Sequence, residues 1–383
     1  MISGEWKMYH RKEFVKTIGR RCSLWSDSVI IEYPVSLILN LLHKFKSRFL
    51  PFLAGNNKYS KIENNLSIFT PFILFHYKVW SKFKFAAFID SLLLRFQFNR
   101  LKKKYFIDSK IILWVYIPHY YNVLRFIKYD YLIYDMYDDN EYDYDGSLNI
   151  NLSSLNKKLV LKANLTFVVA QSVYDRIHKY TDKVELITNG INKEFYSTSQ
   201  SSDNNELNEL IGKKIIGYLG TVRNWIDFDL IESILIKFPE SIVMFVGYVD
   251  RNGAEDFERL KKYKNLLHVN FIPHEETPAY LASFDVGLIP FKVNSFTVSV
   301  FPYKFYEYIA ASIPIVTTAL PELKKYKDHI LYSETNEIFV ENIEKVLNSD
   351  FQLGNANYST IAFENSWENK VDILEKRINK FLT

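Results

Sequence analysis

The chain has 383 residues, enough for two domains that each bury a core, and its 48% hydrophobic against 24% charged residues are typical of a globular protein. Its net charge of +4 is unevenly distributed: residues 1–110 carry 20 Lys and Arg against 7 Asp and Glu, a balance of +13, and the remainder carries 28 against 37, a balance of −9. A basic first quarter suits an anionic membrane surface or a phosphate-bearing partner, and the acidic remainder argues against a protein that wraps nucleic acid.

The chain has a single cysteine, Cys22, which excludes an internal disulfide and a cysteine-cluster metal site and favours a reducing compartment. No apolar run reaches the length of about 18 residues that a membrane-spanning helix needs. The first residues lack the charged leader and apolar core of a secretion signal. We therefore expect a cytoplasmic protein that is peripherally associated with the inner face of the plasma membrane.

The first half alternates predicted strands and helices, which indicates a parallel, doubly wound sheet. A basic helix is expected over Lys7–Arg21. The predicted strands are Ser28–Pro34, Leu66–Pro71, Ile111–Pro118, Tyr131–Asp139, Ala163–Ala170 and Val184–Ile187. The segment Val35–Phe52 interleaves apolar and basic residues, so it is either an interfacial membrane helix or an ordinary domain helix with one wet face.

Three acidic residues lie at the end of one of these strands. Asp135, Asp138 and Asp139 belong to the stretch Tyr131–Asp139. Ligands of open α/β sheets gather at the carboxyl ends of the strands, so these acids lie where chemistry is expected. The alternative is that they only cap a loop.

The second half repeats the strand and helix alternation. Composition shifts to Ser, Asn, Gln, Asp and Glu over Ser197–Asn208, which predicts a linker at residues 197–212 between domains 1–196 and 213–365. A last amphipathic helix, within residues 366–383, is expected to pack back on the first domain. The predicted strands are Ile215–Leu219, Ile242–Gly247, His268–Ile272, Asp285–Pro290 and Ile315–Thr318, and the predicted helix starts are Asp227 or Asp229, Thr277-Pro278 and Pro302.

The stretch Phe301–Leu323 combines a charged helix face with a buried strand. Pro302 suits a first helical position, and the following turn puts Lys304 and Glu307 three residues apart on one face. A helix N-terminus attracts anions, so this Lys could hold a diphosphate and this Glu a neighbouring diol. The alternative is an exposed i,i+3 ion pair on a surface helix.

Several motifs carry a family resemblance. GYLGTVRNWIDFDLI, FDVGLIPF and FPYKFYEYIAASIPIVTT, in this order and spacing, resemble the C-terminal donor domain of bacterial GT-B glycosyltransferases, near family four and the teichuronic-acid and xanthan-type exopolysaccharide enzymes. LWVYIP, LIYDMYDD, ANLTFVVAQSVYDRI and ITNGIN resemble the N-terminal acceptor domain of these enzymes. The likeness covers most of residues 65–325. It implies an α/β protein with two Rossmann-like, doubly wound domains facing across a cleft.

The resemblance also implies an activity. A sugar would be transferred from a nucleotide diphosphate sugar, with a UDP-sugar favoured, to a membrane-lipid-linked glycan acceptor in the biosynthesis of capsule, exopolysaccharide or another cell-surface polysaccharide. The alternatives are a nucleotide-sugar epimerase of the same fold and a non-catalytic partner that binds sugar nucleotides.

The residues that match the donor-binding motifs of the family are Gly220, Thr221, Arg223, Ile272, Pro273, Lys304 and Glu307. By the resemblance, Lys304 contacts the donor diphosphate and Glu307 the ribose hydroxyls. Gly220 belongs to a loop whose glycine lets backbone N–H groups approach phosphate. Arg223 either assists there or faces solvent, and Ile272 belongs to the loop that flanks the base.

The sequence departs from family four in one position that bears on mechanism. Ser299 stands where the first acid of the usual E-x7-E pair is expected, which puts the retaining mechanism of family four in doubt. No clear DxD-type metal motif is found at a donor site, since the DYD at Asp143–Asp145 lies in a polar loop. We therefore expect no metal and no cofactor, with Asp138 or Asp139 as the catalytic base.

Overall fold

The computed structural model describes residues 12–21, 28–31, 35–36, 59–63, 66–80, 82–139, 141–192, 207, 209–349 and 357–382. Its elements up to residue 192 include nine strands and six α-helices within the described residues. They are α1 (Lys12–Arg21), β1 (Ser28–Ile31), β2 (Val35–Ser36), β3 (Tyr59–Glu63), β4 (Leu66–Phe69), β5 (Phe72–Ile73), α2 (Tyr77–Trp80), α3 (Lys84–Tyr105), β6 (Ile112–Val115), α4 (Tyr121–Leu124), β7 (Tyr131–Met136), α5 (Ile150–Lys162), β8 (Leu165–Val168), α6 (Gln171–His178) and β9 (Val184–Leu186).

Strand pairing in this first half is mostly parallel. One sheet has the order β6-β7-β8-β9, with every pair parallel. A second sheet has the order β1-β4-β3, and a third pairs β2 with β5. Because successive side chains alternate across β7, Leu132 and Tyr134 pack into one core cluster and Ile133 into another on the opposite face. Both faces of this sheet are therefore covered.

In this half, the positions of the strands were predicted more accurately from the sequence than the residues at which they end. All six predicted strands are present, as β1, β4, β6, β7, β8 and β9. The last five, whose predicted ranges lie within the described residues, are shorter than predicted. β3 was not predicted, since its sequence YSKIE carries no apolar run, and it pairs antiparallel with β4. Of the amphipathic segment Val35–Phe52, only Val35 and Ser36 are described. The rest of that segment, Cys22 and residues 7–11 lie outside the described residues.

The second half mostly alternates between strands and helices. Its elements are β10 (Ile215–Leu219), α7 (Phe228–Lys237), β11 (Ile242–Val246), α8 (Arg251–Leu260), β12 (Leu266–Val269), α9 (Thr277–Ala282), β13 (Val286–Ile289), α10 (Tyr303–Ala310), β14 (Ile315–Thr318), β15 (Leu331–Ser333), α11 (Asn336–Leu347), α12 (Tyr358–Glu364) and α13 (Trp367–Leu382). The six strands form one parallel sheet in the order β12-β11-β10-β13-β14-β15. This order confirms the predicted doubly wound sheet.

Local chemistry explains the element boundaries of this half. The Asp227 side chain accepts a hydrogen bond from the Leu230 amide at 3.0 Å, so Asp227 is the helix cap of the two candidates. Pro302 immediately precedes the first residue of α10 instead of occupying it. The predicted strand His268–Ile272 is misplaced, because β12 begins at Leu266 and is an edge strand whose residues are all only half-buried.

The C-terminal helix returns to the first half. Trp367, Val371 and Leu374 of α13 share a buried cluster with Phe14 and Ile18 of α1. The rings of Phe14 and Trp367 lie 5.1 Å apart. Most of the predicted linker, residues 197–212, lies outside the described residues, so the domain boundaries remain a prediction.

Candidate nucleotide-sugar site

The order of the second sheet creates a crevice between β10 and β13. Connections leaving β10 and β11 run to one side of the sheet, whereas those leaving β13 and β14 run to the other. In doubly wound sheets the carboxyl ends of the strands at such a reversal form the usual ligand crevice. Gly220 follows β10, and Phe291 lies just beyond β13. Donor-binding residues are therefore expected to lie around the carboxyl ends of β10 and β13.

Lys304, in the first turn of α10, reaches into the crevice. Its Nζ lies 4.7 Å from the ring centre of Tyr218 and 4.5 Å from that of Phe291. A Cβ built on Gly220 would lie 3.6 Å from the same Nζ. The ammonium group is thus held beside the loop after β10, with aromatic faces on two sides.

Burial changes the acid strength of Lys304. The residue is only 9% exposed. Burial lowers the pKa of Lys304 to about 8, although the negative charge of Glu307 opposes this shift. Among the described residues, no carboxylate forms an ion pair with its ammonium within 4.0 Å. A buried cation beside a glycine loop is well suited to receive an anionic ligand.

Glu307 lies one turn further along α10 and is 8% exposed. Because both Lys304 and Glu307 are buried, the alternative of an exposed surface ion pair is wrong. Ser299, where family four has its first acid, is also buried, and its hydroxyl donates to the Phe296 carbonyl at 2.9 Å. This serine therefore fills a structural position in the loop before α10.

Two glycines shape the carboxyl edge of the sheet. Gly220 has φ +128° and Gly247 has φ +144°, a region that side-chain-bearing residues rarely adopt. The Gly220 amide donates to the Val246 carbonyl at 2.8 Å, and a Cβ on Gly247 would overlap the Gly220 carbonyl oxygen. Sequence reasoning missed Gly247 as a site residue. Gly247 could have been identified by comparing the two strands, because it follows β11 directly just as Gly220 follows β10.

Thr221 and Arg223 lie further along the loop after β10. The Tyr218 hydroxyl donates to the Thr221 carbonyl at 2.9 Å, which fixes the turn. Arg223 pairs with Asp250 at 3.2 Å, and its guanidinium lies 4.7 Å from the ring centre of Tyr144, in the first half. Arg223 is therefore half-buried between the two halves, and a direct part in phosphate binding remains a prediction.

Ile272 and Pro273 lie at the same edge of the sheet but further out. They follow β12, which β11 separates from β10. Two strand spacings correspond to about 10 Å. Ile272 packs on the core of the second half, and Pro273 is exposed. The structure records no contact between either residue and Lys304, so their place against a nucleotide base remains a prediction.

The two candidate bases have different surroundings. Asp139 is buried, and its carboxylate accepts two hydrogen bonds from the Arg176 guanidinium, at 2.8 and 2.9 Å. Glu141 adds a longer contact of 3.6 Å to the same guanidinium. Both carboxylate oxygens of Asp139 are therefore engaged by Arg176, which argues against Asp139 as the group that takes a proton from an acceptor hydroxyl. Asp138 is exposed at the end of β7, so the prediction narrows to Asp138.

One half-buried histidine in the first half was not singled out from the sequence. His119 follows β6, the strand next to β7. Burial, with smaller effects of Lys78 and His76, lowers the pKa of His119 to about 4, so its ring is neutral at pH 7. No motif surrounds His119, which explains why it could not be predicted from the sequence.

The two halves touch on either side of the crevice. The Glu322 carboxylate, in the second half, accepts hydrogen bonds from the amides of Gln171 and Ser172 at 2.9 Å each, at the start of α6. Tyr144 packs edge-on against Trp225 and Phe296, with ring centres 5.2 and 5.1 Å away. In the loop that contains DYD, Asp143 and Asp145 are exposed, as expected of a polar loop, and Tyr144 forms a contact between the two halves.

No helix within the described residues combines the length and the apolar content needed to cross a bilayer. Within that same part of the chain, no group of three or more His, Cys, Asp or Glu side chains is arranged to hold a metal ion.

Comparison with family models gives no match. The chain is 27% identical over 234 residues to a Bacillus subtilis (strain 168) protein with the provisional name teichuronic acid biosynthesis glycosyltransferase TuaH. The matched region covers 57% of this chain and 58% of that relative. The chain therefore matches little more than half the length of the curated relative.

Solved structures match over nearly the whole chain. A sucrose-phosphate synthase of Thermosynechococcus elongatus superposes with a TM-score of 0.74 at 12% identity, covering 98% of this chain and 94% of that one. The trehalose-6-phosphate protein of E. coli, bound with UDP-2-fluoro glucose, gives 0.66 at 11% identity, covering 92% and 98%. These comparisons confirm the predicted fold and the resemblance: the chain has the GT-B fold and is similar in sequence to a protein named for teichuronic acid biosynthesis.

Proposed function

We propose that the protein is a glycosyltransferase that takes a sugar from a nucleoside diphosphate sugar, with a UDP-sugar favoured, for the biosynthesis of a cell-surface polysaccharide. The observation that carries this proposal is the buried ammonium of Lys304 at the strand-order reversal. It lies beside a glycine loop and at the start of a helix, so three features that favour an anion converge there. The similarity to TuaH supports the polysaccharide context.

Sugar transfer requires that the departing diphosphate be stabilised as the anomeric bond breaks. Lys304 would meet this diphosphate in a site with little water, where its positive charge acts strongly and needs no reorganisation. Negative charge grows on the diphosphate as it leaves, and the positive charge of Lys304 would stabilise it. This stabilisation would be stronger in the transition state than in the ground state. This arrangement would supply the required counter-charge without a metal. Glu307 would accept hydrogen bonds from the ribose hydroxyls.

The acceptor hydroxyl must lose a proton in the same reaction. We assign this step to Asp138, an exposed carboxylate at the carboxyl end of β7. A single base of this kind is sufficient for an inverting reaction, and in a retaining reaction Asp138 would only position the acceptor. The contacts of Glu322 and Tyr144 between the halves would hold donor and acceptor sides at a fixed separation.

The acceptor is proposed to be a membrane-lipid-linked glycan in capsule or exopolysaccharide synthesis, with the protein attached peripherally to the inner face of the plasma membrane. The +13 balance of residues 1–110 supports this, because the membrane surface on that side is anionic. A protein that works on a lipid-linked substrate must approach this surface.

A panel of radiolabelled UDP- and GDP-sugars, incubated with the full chain with and without bacterial lipid extract, tests the proposal. A glycosyltransferase moves label into the lipid fraction only when extract is present. An epimerase of the same fold converts the free sugar nucleotide without extract, and a non-catalytic partner binds the nucleotide but changes nothing. Either of the last two results would overturn the proposal.

A further inference from the structure

The long helix α3 carries an unusual stripe of exposed apolar side chains. Phe85, Phe88, Leu92 and Phe96 recur at intervals of three and four residues, so they lie along one face of the helix. Phe85 is 71% exposed and Phe96 is 65% exposed. Scattered exposed apolar residues need no explanation, but three phenylalanines in a row on one helix face indicate an interaction surface.

The orientation of this stripe is fixed by polar contacts on the opposite face. Asp90 is fully buried and accepts hydrogen bonds from the Trp80 indole at 2.7 Å and from the Leu74 amide at 2.6 Å. The Gln97 amide group accepts from the Phe72 amide at 3.0 Å and donates to the Phe72 carbonyl at 2.8 Å. These bonds tie α3 to β5 and the following loop. Rotation of the helix to bury the stripe would break them.

The charges exposed on α3 all have one sign. Its exposed charged side chains are Lys84, Arg95, Arg100, Lys103 and Lys104. The one acid in the helix is the buried Asp90, so no carboxylate of α3 offsets this positive charge on the exposed side. Aromatic side chains flanked by Lys and Arg on a helix face are the pattern of a helix that lies in the interface of an anionic bilayer.

We propose that α3 is the membrane-docking element of the protein. The helix would lie in the plane of an anionic bilayer surface, with Phe85, Phe88, Leu92 and Phe96 inserted among the lipids and the flanking basic residues at the phosphate level. This inference rests on the proposed function, because docking to a membrane would bring the protein to its lipid-linked acceptor. It does not depend on the identity of the donor nucleotide.

Vesicle flotation of the full chain tests the docking element. The wild-type chain is expected to float with phosphatidylcholine vesicles that contain phosphatidylglycerol, and to float poorly with phosphatidylcholine alone or at high salt. Because full burial of a Phe side chain contributes roughly tenfold in partitioning, Phe85→Ser with Phe96→Ser should weaken binding by on the order of a hundredfold. Each charge removed by Arg100→Gln or Lys103→Gln should weaken it about fivefold.

The matched control removes two exposed apolar side chains elsewhere. Ile236→Ser with Phe363→Ser, at residues 62% and 68% exposed in the second half, should leave flotation unchanged. Unchanged flotation of the α3 variant overturns the proposal. Loss of wild-type self-association in that variant, with flotation retained, would show that the stripe binds a second copy instead.

Calorimetry with UDP on the same variants separates this inference from the proposed function. If the α3 variant keeps its UDP affinity and loses flotation, both stand. If wild type binds UDP and never floats, the docking inference alone fails. If wild type floats and binds neither UDP nor, in the same calorimetric assay, GDP, the proposed function fails.

Discussion

Replacing Lys304 with Met should stabilise the protein and weaken nucleotide binding at the same time. Met has a similar length and packs well against the rings of Tyr218 and Phe291. The substitution removes a buried charge that destabilises the folded protein. It also removes the charge that we assign to the donor diphosphate, so the two effects have opposite signs.

The lowered pKa of Lys304 sets the size of the stability effect, and typical energies of charged hydrogen bonds set the size of the binding effect. A pKa lowered from 10.5 to about 8 corresponds to about 3 kcal/mol of destabilisation by the charged form. Below pH 8 both folded and unfolded chains hold this proton, so the full cost is present at pH 7. Stability then rises between pH 8 and 10.5, where only the unfolded chain remains protonated. Loss of a charged hydrogen bond to phosphate costs about 1.5–3 kcal/mol of binding, roughly a 10- to 150-fold weaker affinity.

Thermal unfolding and UDP calorimetry measure the two quantities. Lys304→Met should raise the free energy of unfolding at pH 7 by about 1–3 kcal/mol, and Tm by roughly 2–4 °C for each kcal/mol. This gain should disappear above pH 10.5, where Lys304 is neutral in both states of the wild-type chain. UDP affinity of wild type should fall as pH rises above about 8, because the free protein then loses the ammonium. The variant should show no such fall.

The control is Lys324→Met, which removes an exposed lysine from the same half and should change neither quantity. A Lys304→Met variant with unchanged UDP affinity would refute the assignment of Lys304 to the diphosphate. A variant that binds UDP weakly and is also less stable would refute the reasoning about the buried charge.

Four further substitutions test other parts of the site. Glu307→Gln should mainly raise the donor KM, measured by initial rates, because a ribose contact is made equally in ground and transition states. Gly247→Ala should lower the free energy of unfolding by about 1–3 kcal/mol in thermal melts and weaken UDP binding, because it forces strained backbone against the loop after β10. Asp138→Asn should lower kcat by roughly 10²–10⁴-fold at unchanged UDP affinity. Asp139→Asn should instead destabilise the fold, because Arg176 keeps only its longer contact with the Glu141 carboxylate. Full turnover in both Asp variants would place the base elsewhere.

The second half was largely predictable from the sequence because its central strands are buried on both faces. Ile215–Leu219 is fully buried and therefore appears in the sequence as an uninterrupted apolar run. The edge strand β12 is only half-buried, so its weaker pattern was misplaced. Lys304 and Glu307 could be singled out because a local helix start puts them together, which needs no knowledge of distant residues.

Contacts that join distant parts of the chain could not be predicted in this way. The bond between Glu322 and the start of α6 links residues about 150 positions apart, and no local pattern indicates it. The ion pair that distinguishes the surroundings of Asp139 from those of Asp138 depends on Arg176, on a different element. The outward stripe of α3 was hidden for a related reason. Its apolar residues alone do not show which face of the helix is exposed, and the inward face is identified by the distant partners of Asp90.

Hydrogen exchange of the full chain with and without UDP tests the central claim most directly, because it reports where the nucleotide binds. The account predicts slower exchange at the backbone amides of Gly220 and Thr221 and in the first turn of α10, around Lys304, with little change in α3. Protection confined to other segments, or no protection at a UDP concentration that saturates binding, would contradict the assignment of the nucleotide to the crevice between β10 and β13.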